Sequence, residues 1–150
     1  MDHFCVRKFK GRNIYFNKIL SRKWKFNNTY SKEIKEIEIE DEYDFEGQLV
    51  IGDYSDLEKL YLHDVCSIEK IILKNLIKLQ ECTIWDCGLK DLVIENCPQL
   101  KKLNACSNSL TGLEFLTSLE NLEELEIDNN VELASGIEYL PKSLKNFSSL

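Results

Sequence analysis

Apolar and polar residues alternate in two short segments near the middle of the chain, "LQECTIWDC" (79–87) and "LKDLVIENC" (89–97). Both segments place apolar residues at the first, fourth and sixth positions and a cysteine at the ninth. Alternation with a period of two is typical of a strand that has one buried face. Each segment therefore predicts a short strand.

The same pattern recurs along most of the chain at a nearly constant interval. The main series has spacings of 23, 22, 21, 22 and 22 residues, and its repeats begin at Ile34, Leu57, Leu79, Leu100, Leu122 and Leu144. A nested series, offset by 10 or 11 residues, begins at Ile68 and Leu89. A fixed period of this size indicates a solenoid, in which each repeat buries its apolar face against its neighbours.

The repeated pattern resembles the leucine-rich repeat, L-x-x-L-x-L-x-x-N/C-x-L, most closely in "LKKLNACSNSL" (100–110) and "LEELEIDNNVEL" (122–133). The resemblance implies an α/β-type, strand-rich solenoid, which is a curved right-handed coil with short parallel strands on its concave face. It covers residues 34–150, with five complete repeats and a partial sixth, and it leaves residues 1–33 as a basic N-terminal arm and cap. The doubled 11-residue pattern is similar to repeats in which a variable half mimics the conserved half. The segment "YDFEGQLVIGDYSDLEKL" (43–60), preceded by Trp24 and Tyr30, resembles the first turn of the cysteine- and asparagine-rich arrays of fungi.

The nested half-repeats predict extended segments on both edges of the coil in the middle repeats. The segment "GIEYLPKS" (136–143) predicts a helical turn instead. A solenoid also needs a cap over its first open apolar face. Ile19, Leu20 and Trp24 have helical spacing and are predicted to form this cap.

Cysteines are the first candidates for chemistry, since Cys82, Cys87 and Cys97 lie within nineteen residues. A metal site needs converging ligands, commonly a C-x2-4-C pair. Cys82 and Cys87 have the x4 spacing, but this pair alone is a weak signal, and the two residues fall at different inward places in the coil. Cys106 and His63 would stand two strands apart, about 10 Å, which is too far for a nucleophile and its base. We therefore expect no metal, no cofactor and no enzyme activity.

The leucine-rich repeat family offers a structural role for several of these residues. Family members place Asn or Cys at the ninth position, where the side chain lies inside the bend after the strand. Asn108 and Asn130 match that position directly, and Cys87 and Cys97 match it in the two half-repeats. Cys82 occupies an inward position and is predicted to be a small core residue.

Side chains alternate along a strand, so the third, fifth, seventh and eighth positions of each repeat should reach the concave surface. Trp85 stands at such a position beside the strand that carries Tyr61 and His63, and exposed aromatic residues are typical interface anchors. The acids around them favour a protein or peptide partner with basic groups. The predicted partner-binding residues are Tyr61, His63, Asp64, Trp85, Asp86, Glu38, Lys59, Glu81, Thr83, Asn104, Glu126 and Asp128. The alternative is a solvated face whose charges discourage aggregation of strand edges.

The formal net charge of −7 hides an uneven distribution. Residues 1–25 carry eight Lys or Arg against one acid, whereas residues 26–150 carry eleven against twenty-five. An acidic body repels nucleic acid and anionic membranes. The basic arm leaves three roles open: the cap, a nucleic-acid or anionic-membrane adaptor, and a targeting segment.

No segment approaches the roughly 20 apolar residues of a transmembrane helix, and the start lacks a secretory apolar region. The predicted location is intracellular, in the cytoplasm, where the six cysteines would be reduced thiols. The chain stops at Leu150 partway through a repeat, so we expect either a fragment of a longer array or an open end that self-associates. The predicted function is non-catalytic protein recognition without a small-molecule substrate.

Overall fold

Short strands make up most of the described chain. The computed structural model describes residues 34–42, 47–65 and 68–149, and the three strands within residues 4–26. The strands are β1 (Phe4–Phe9), β2 (Arg12–Lys18), β3 (Lys23–Phe26), β4 (Glu36–Glu42), β5 (Gly47–Gly52), β6 (Lys59–Val65), β7 (Ile68–Lys74), β8 (Glu81–Trp85), β9 (Asp91–Glu95), β10 (Lys102–Asn104), β11 (Glu124–Glu126) and β12 (Asn146–Ser148). Two 3-10 helices span Glu114–Ser118 and Ile137–Tyr139. None of the described helices has the length and apolar character needed to cross a membrane.

The first sheet contains one strand from each repeat of the main series. Its order is β12-β11-β10-β8-β6-β4, and all of its neighbouring strands are parallel. The inward residues stack in register, with Leu60 beside Cys82, Cys82 beside Leu103, and Leu103 beside Leu125. The repeat period therefore sets the register of this sheet.

The second sheet lies on the other side of the coil, in the order β1-β2-β3-β5-β7-β9. Its strands β5, β7 and β9 are parallel, and the last two come from the nested series at Ile68 and Leu89. The predicted extended segments on both edges of the coil are thus confirmed for the middle repeats. After β9 the chain forms the two 3-10 helices, and the second of them is the helical turn predicted within residues 136–143.

Together the two sheets form a β-solenoid of about five turns. Ile37, Leu62 and Ile71 are among the fully buried residues that make up the core cluster. Removing such a side chain from water stabilises the fold by roughly 1.5–3 kcal/mol. The predicted strand-rich solenoid is confirmed, whereas the described residues hold no α-helix that would make it an α/β fold.

The described part of the N-terminal segment forms strands. β1 and β2 are an antiparallel pair, and β3 joins β5 in parallel with Trp24 beside Leu49. The helical spacing predicted around Trp24 is wrong, because "KWKF" (23–26) alternates polar and apolar residues with the period of a strand. β3 therefore extends the second sheet. Ile19 and Leu20, the other predicted cap residues, lie outside the described residues.

Stacking on both sides should determine how much an apolar residue stabilises the solenoid. Leu125 and Phe147 stand side by side on β11 and β12, yet Leu125 is fully buried and Phe147 is 42% exposed. We expect Leu125→Ala to lower the free energy of unfolding by about 2–5 kcal/mol, and Phe147→Ala to lower it less despite the larger side chain. Urea unfolding followed by circular dichroism measures both, and equal losses would contradict this account.

Candidate functional site

Most of the predicted partner-binding residues lie on the outward face of the first sheet, meaning the side chains that point away from the core. On β6 and β8 the residues Leu60, Leu62, Cys82 and Ile84 are buried, and those between them are half-buried or exposed. Because the strands are in register, equivalent positions form rows that cross the sheet. Three such rows occupy the third, fifth and seventh positions of the repeat.

The first row is a ladder of alternating charge. The strand register sets Glu36, Lys59, Glu81, Lys102 and Glu124 side by side. Lys59 Nζ lies 3.0 Å from Glu81 Oε2, and Lys102 Nζ lies 3.1 Å from Glu124 Oε2. The hydrogen bond from Lys59 holds the pKa of Glu81 below its ordinary value, and the same bond raises the pKa of Lys59. Both lysines of the row are therefore bridged to acids of the same face.

The second row joins polar residues to one aromatic residue. Its members are Glu38, Tyr61, Thr83, Asn104 and Glu126. The Tyr61 hydroxyl donates a hydrogen bond to Glu81 Oε2 at 3.1 Å, and burial raises the pKa of Tyr61. Asn104 donates from Nδ2 to Glu126. Tyr61 is thus tied to the charge ladder and is only partly available to a partner.

The third row contains the aromatic centre of the face. His63 stands beside Glu40 on one side and Trp85 on the other. Its Nδ1 lies 3.8 Å from Glu40 Oε1, and its ring centroid lies 6.2 Å from that of Trp85 and 6.4 Å from that of Tyr61, with the rings edge to face. His63 Nε2 is buried without a hydrogen-bond partner among the described residues. Trp85 is 44% exposed, so the third row contains both an open aromatic surface and a carboxylate, two groups that attract cations.

Beyond the ends of β10 and β11, the third row continues to Cys106 and Asp128. The Asp86 N–H donates to Cys106 O at 3.3 Å, and the Ser107 N–H donates to Asp128 O at 2.8 Å. Cys106 Sγ lies 3.8 Å from Asp128 Oδ2, which also accepts a hydrogen bond from Ser148 Oγ. Burial raises the pKa of the Cys106 thiol, so the thiol stays protonated and acts as the donor.

Asp64 and Asp86 hold the eighth position of their repeats, where Asp64 lies within β6 and Asp86 directly follows β8. Their φ angles are 50° and 52°, in the left-handed region. Because strand alternation depends on an extended backbone, the left-handed conformation interrupts it at both residues, and their place on the surface of the seventh position stays a prediction. Asp and Asn adopt this conformation more readily than most residues, because their short polar side chains bond locally.

A ladder of polar corner residues on the other side of the coil was not predicted. Asp53, Asn75 and Asn96 have φ angles of 64°, 55° and 53°. Asn75 Nδ2 donates to Asp53 Oδ1 at 2.8 Å, and Asn96 Nδ2 donates to Asn75 Oδ1 at 2.9 Å. Asn75 and Asn96 take the eighth position of the half-repeats that begin at Ile68 and Leu89, as Asp64 and Asp86 do in the main series. Aligning the two series would have found the Asn75 and Asn96 positions.

The ninth position holds buried amides that connect successive turns. Asn108 Oδ1 accepts hydrogen bonds from the N–H groups of Cys87 and Leu89, each at 3.1 Å, and its Nδ2 donates to Ile84 O at 2.7 Å. Asn130 makes equivalent bonds one turn later. These amides satisfy backbone groups inside the bend, which is the role that the family pattern implied.

Three of the described cysteines pack inside the solenoid. Cys82, Cys87 and Cys97 are buried free thiols. Burial raises the pKa of Cys97 to about 11 and also raises that of Cys82, so neither is a thiolate near neutral pH. Within the described residues, no group of three or more His, Cys, Asp or Glu side chains could hold a metal ion. Cys5 and Cys66 lie outside the described side chains.

Comparisons of the chain with known protein families, with curated proteins and with solved structures found no match. A fold alone does not specify an activity, whereas the side chains of a site do. The distinguishing feature of the outward face is an exposed Trp85 beside His63, with carboxylates in the same row.

The buried amide of Asn108 should stabilise the protein more than an exposed amide does. Asn108→Ala removes the acceptor for two buried N–H groups, so we expect the free energy of unfolding to fall by at least about 2 kcal/mol. Asn121 is the control, because it is exposed and its Nδ2 makes one bond, to Pro98 O at 2.9 Å. Asn121→Ala should cost about 0.5 kcal/mol or less. Similar losses in urea unfolding would show that the bend does not depend on Asn108.

Native Cys82 and Cys97 should resist alkylation, because the thiolate is the reactive form and burial disfavours it. Iodoacetamide at pH 8 should leave both unmodified in the native protein and modify both in concentrated urea. Peptide mass spectrometry reads each site separately, so Cys5 and Cys66 do not interfere. Rapid modification of either residue in the native protein would contradict its place in the core.

Proposed function

We propose that the chain is a non-catalytic interaction module of the leucine-rich-repeat type, which binds a partner protein or basic peptide through the outward face of its first sheet. The observation that carries the proposal is the 44% exposure of Trp85 beside the ring of His63. An exposed tryptophan supplies a large contact area at low cost in conformational entropy, which is why interfaces use it as an anchor. The bends at Asn108 and Asn130 support the leucine-rich-repeat assignment.

The charge of the outward face favours a basic partner. Lys59 and Lys102 are already bridged to Glu81 and Glu124, so their charge is largely compensated. The carboxylate of Glu38, in contrast, has no ion-pair partner among the described residues. Acids left without a partner attract a basic surface, increase its rate of association and disfavour acidic competitors.

The predicted residues have unequal roles in this proposal. Trp85 is the anchor, and the half-buried Glu38 on β4 and the exposed Asp86 beside Trp85 are charge partners. Tyr61 and Glu81 act mainly as a support, because their hydrogen bond holds two neighbouring strands of the face together. Binding should therefore depend more on the third row than on the first.

The end of the first sheet is a further surface for contact with protein. Phe147 on β12 is 42% exposed, and it borders a cavity of about 240 Å³ together with Leu133 and Ile137. Exposed apolar residues that border a cavity favour contact with protein. We include self-association through this surface in the proposal.

The adaptor role of the N-terminal segment and the intracellular, non-catalytic character of the protein stay predictions. An adaptor for nucleic acid or anionic membranes, acting through residues 1–25, stays a prediction, because those side chains lie outside the described part of the chain. An intracellular location and the absence of catalysis belong to the proposal and rest on the sequence arguments.

Replacing Trp85 should remove partner capture without unfolding the protein, since its side chain contributes little to the core. Trp85→Ala is compared with Ile77→Ala, because Ile77 is 42% exposed and lies in the turn after β7. In an affinity pull-down followed by mass spectrometry, a partner retained by wild type and Ile77→Ala should be lost with Trp85→Ala. The melting temperature should stay unchanged in both variants.

Retention of the partner by Trp85→Ala would contradict the proposal. Loss of the partner with both Trp85→Ala and Ile77→Ala would also contradict the proposal, because a general change of the surface or a loss of stability would then explain the result. Tyr61→Phe serves as a second control, since it keeps the ring and removes the hydrogen bond to Glu81.

A further inference from the structure

We propose that the third row recognises a basic, proline-containing segment of the partner in the polyproline II conformation. This inference rests on the proposed function and names the ligand of the same surface. The row consists of Glu40, His63, Trp85, Cys106 and Asp128. It places an exposed aromatic ring midway between two carboxylates.

The spacing along the row carries the inference. Trp85 lies two strands from Glu40 in one direction and two turns from Asp128 in the other. Neighbouring strands are about 4.8 Å apart, so each acid stands about 9.6 Å from Trp85 along the row. The row therefore offers three recognition points at nearly equal intervals.

A ligand must place side chains on one face at the same intervals. A polyproline II helix rises about 3.1 Å per residue with three residues per turn, so side chains on one face recur about every 9.3 Å. A β-strand presents them about every 6.7 Å, which does not match the row. The polyproline II conformation thus fits the row without adjustment.

The chemistry of the three points specifies the ligand side chains. Trp85 offers an exposed indole, and proline-rich segments dock on aromatic surfaces because their conformation is formed before binding. The Glu40 side chain is 53% exposed at one end and can accept from Lys or Arg. Asp128 stands at the other end, and a carboxylate has about four lone-pair sites, so it can accept a ligand cation while it keeps the bonds from Cys106 and Ser148.

The geometry therefore points to a basic residue, a proline three residues later and a second basic residue three residues after that. The neighbouring charge ladder does not oppose this ligand, because Lys59 and Lys102 are each bridged to an acid. A ligand with the same composition but a different spacing cannot reach all three points from one face.

Two fluorescein-labelled peptides of identical composition test the spacing. KAPPAPK carries lysines at its first and last positions with a proline at the centre, and KAPPKAP moves the second lysine next to that proline. Fluorescence anisotropy at low salt should show that the first peptide binds at least about tenfold more tightly to the full chain. Trp85→Ala should weaken its binding at least about tenfold, and Ile77→Ala should leave it unchanged.

Charge variants separate the ends of the row from the general acidity of the chain. Glu40→Gln should weaken binding of KAPPAPK, whereas Glu95→Gln, an exposed acid on β9 of the second sheet, should not. One of the two peptide lysines faces Glu40. When that lysine is replaced by glutamine, Glu40→Gln should no longer change the affinity for the peptide. Circular dichroism checks that each variant keeps the fold.

Each failure has a separate meaning. Equal affinities for the two peptides, both dependent on Trp85, would overturn the inferred conformation and leave the proposed function standing. Failure of both peptides to bind, while partner capture still depends on Trp85, would also overturn the inference alone. Peptide binding and partner capture that both survive Trp85→Ala would overturn the inference and the proposed function together.

Discussion

Stacking of each turn on the next is the interaction on which the rest of the structure depends. One repeat cannot cover its own apolar face, so a turn becomes stable only when neighbours lie above and below it. The inward column through Leu60, Cys82, Leu103 and Leu125 is buried for this reason. Parallel hydrogen bonds between turns join the same neighbours, so packing and backbone pairing demand the same register.

The coil must also bend sharply without leaving backbone groups unsatisfied. Asp53, Asn75 and Asn96 make the bend on one side with left-handed backbone conformations, and their side chains link successive turns. On the other side, the buried amides of Asn108 and Asn130 bond the carbonyl and N–H groups inside the bend. Polar side chains thus complete the hydrogen bonding that the two sheets leave open.

The register that builds the core also builds the outward face. Residues about one period apart in the sequence become neighbours across the sheet, so the face is organised in rows and not along strands. In the first row, opposite charges such as Lys59 and Glu81 neutralise each other, and the third row brings His63 beside Trp85. An ordered surface of this kind needs no loop, because the repeated coil holds its side chains at regular spacing.

The sequence by itself determined the period, the inward residues, both sets of middle strands and the aromatic centre near Trp85, because alternation and spacing are carried by the chain directly. Only the tertiary structure decided that Tyr61 bonds Glu81, that Asp86 lies at a left-handed corner and that Trp24 belongs to a strand of the second sheet. The contacts depend on which residues of different turns become neighbours, and the corner depends on the φ angle of Asp86. A period predicts that turns stack, whereas contacts between side chains are set only when the stacked turns are in register.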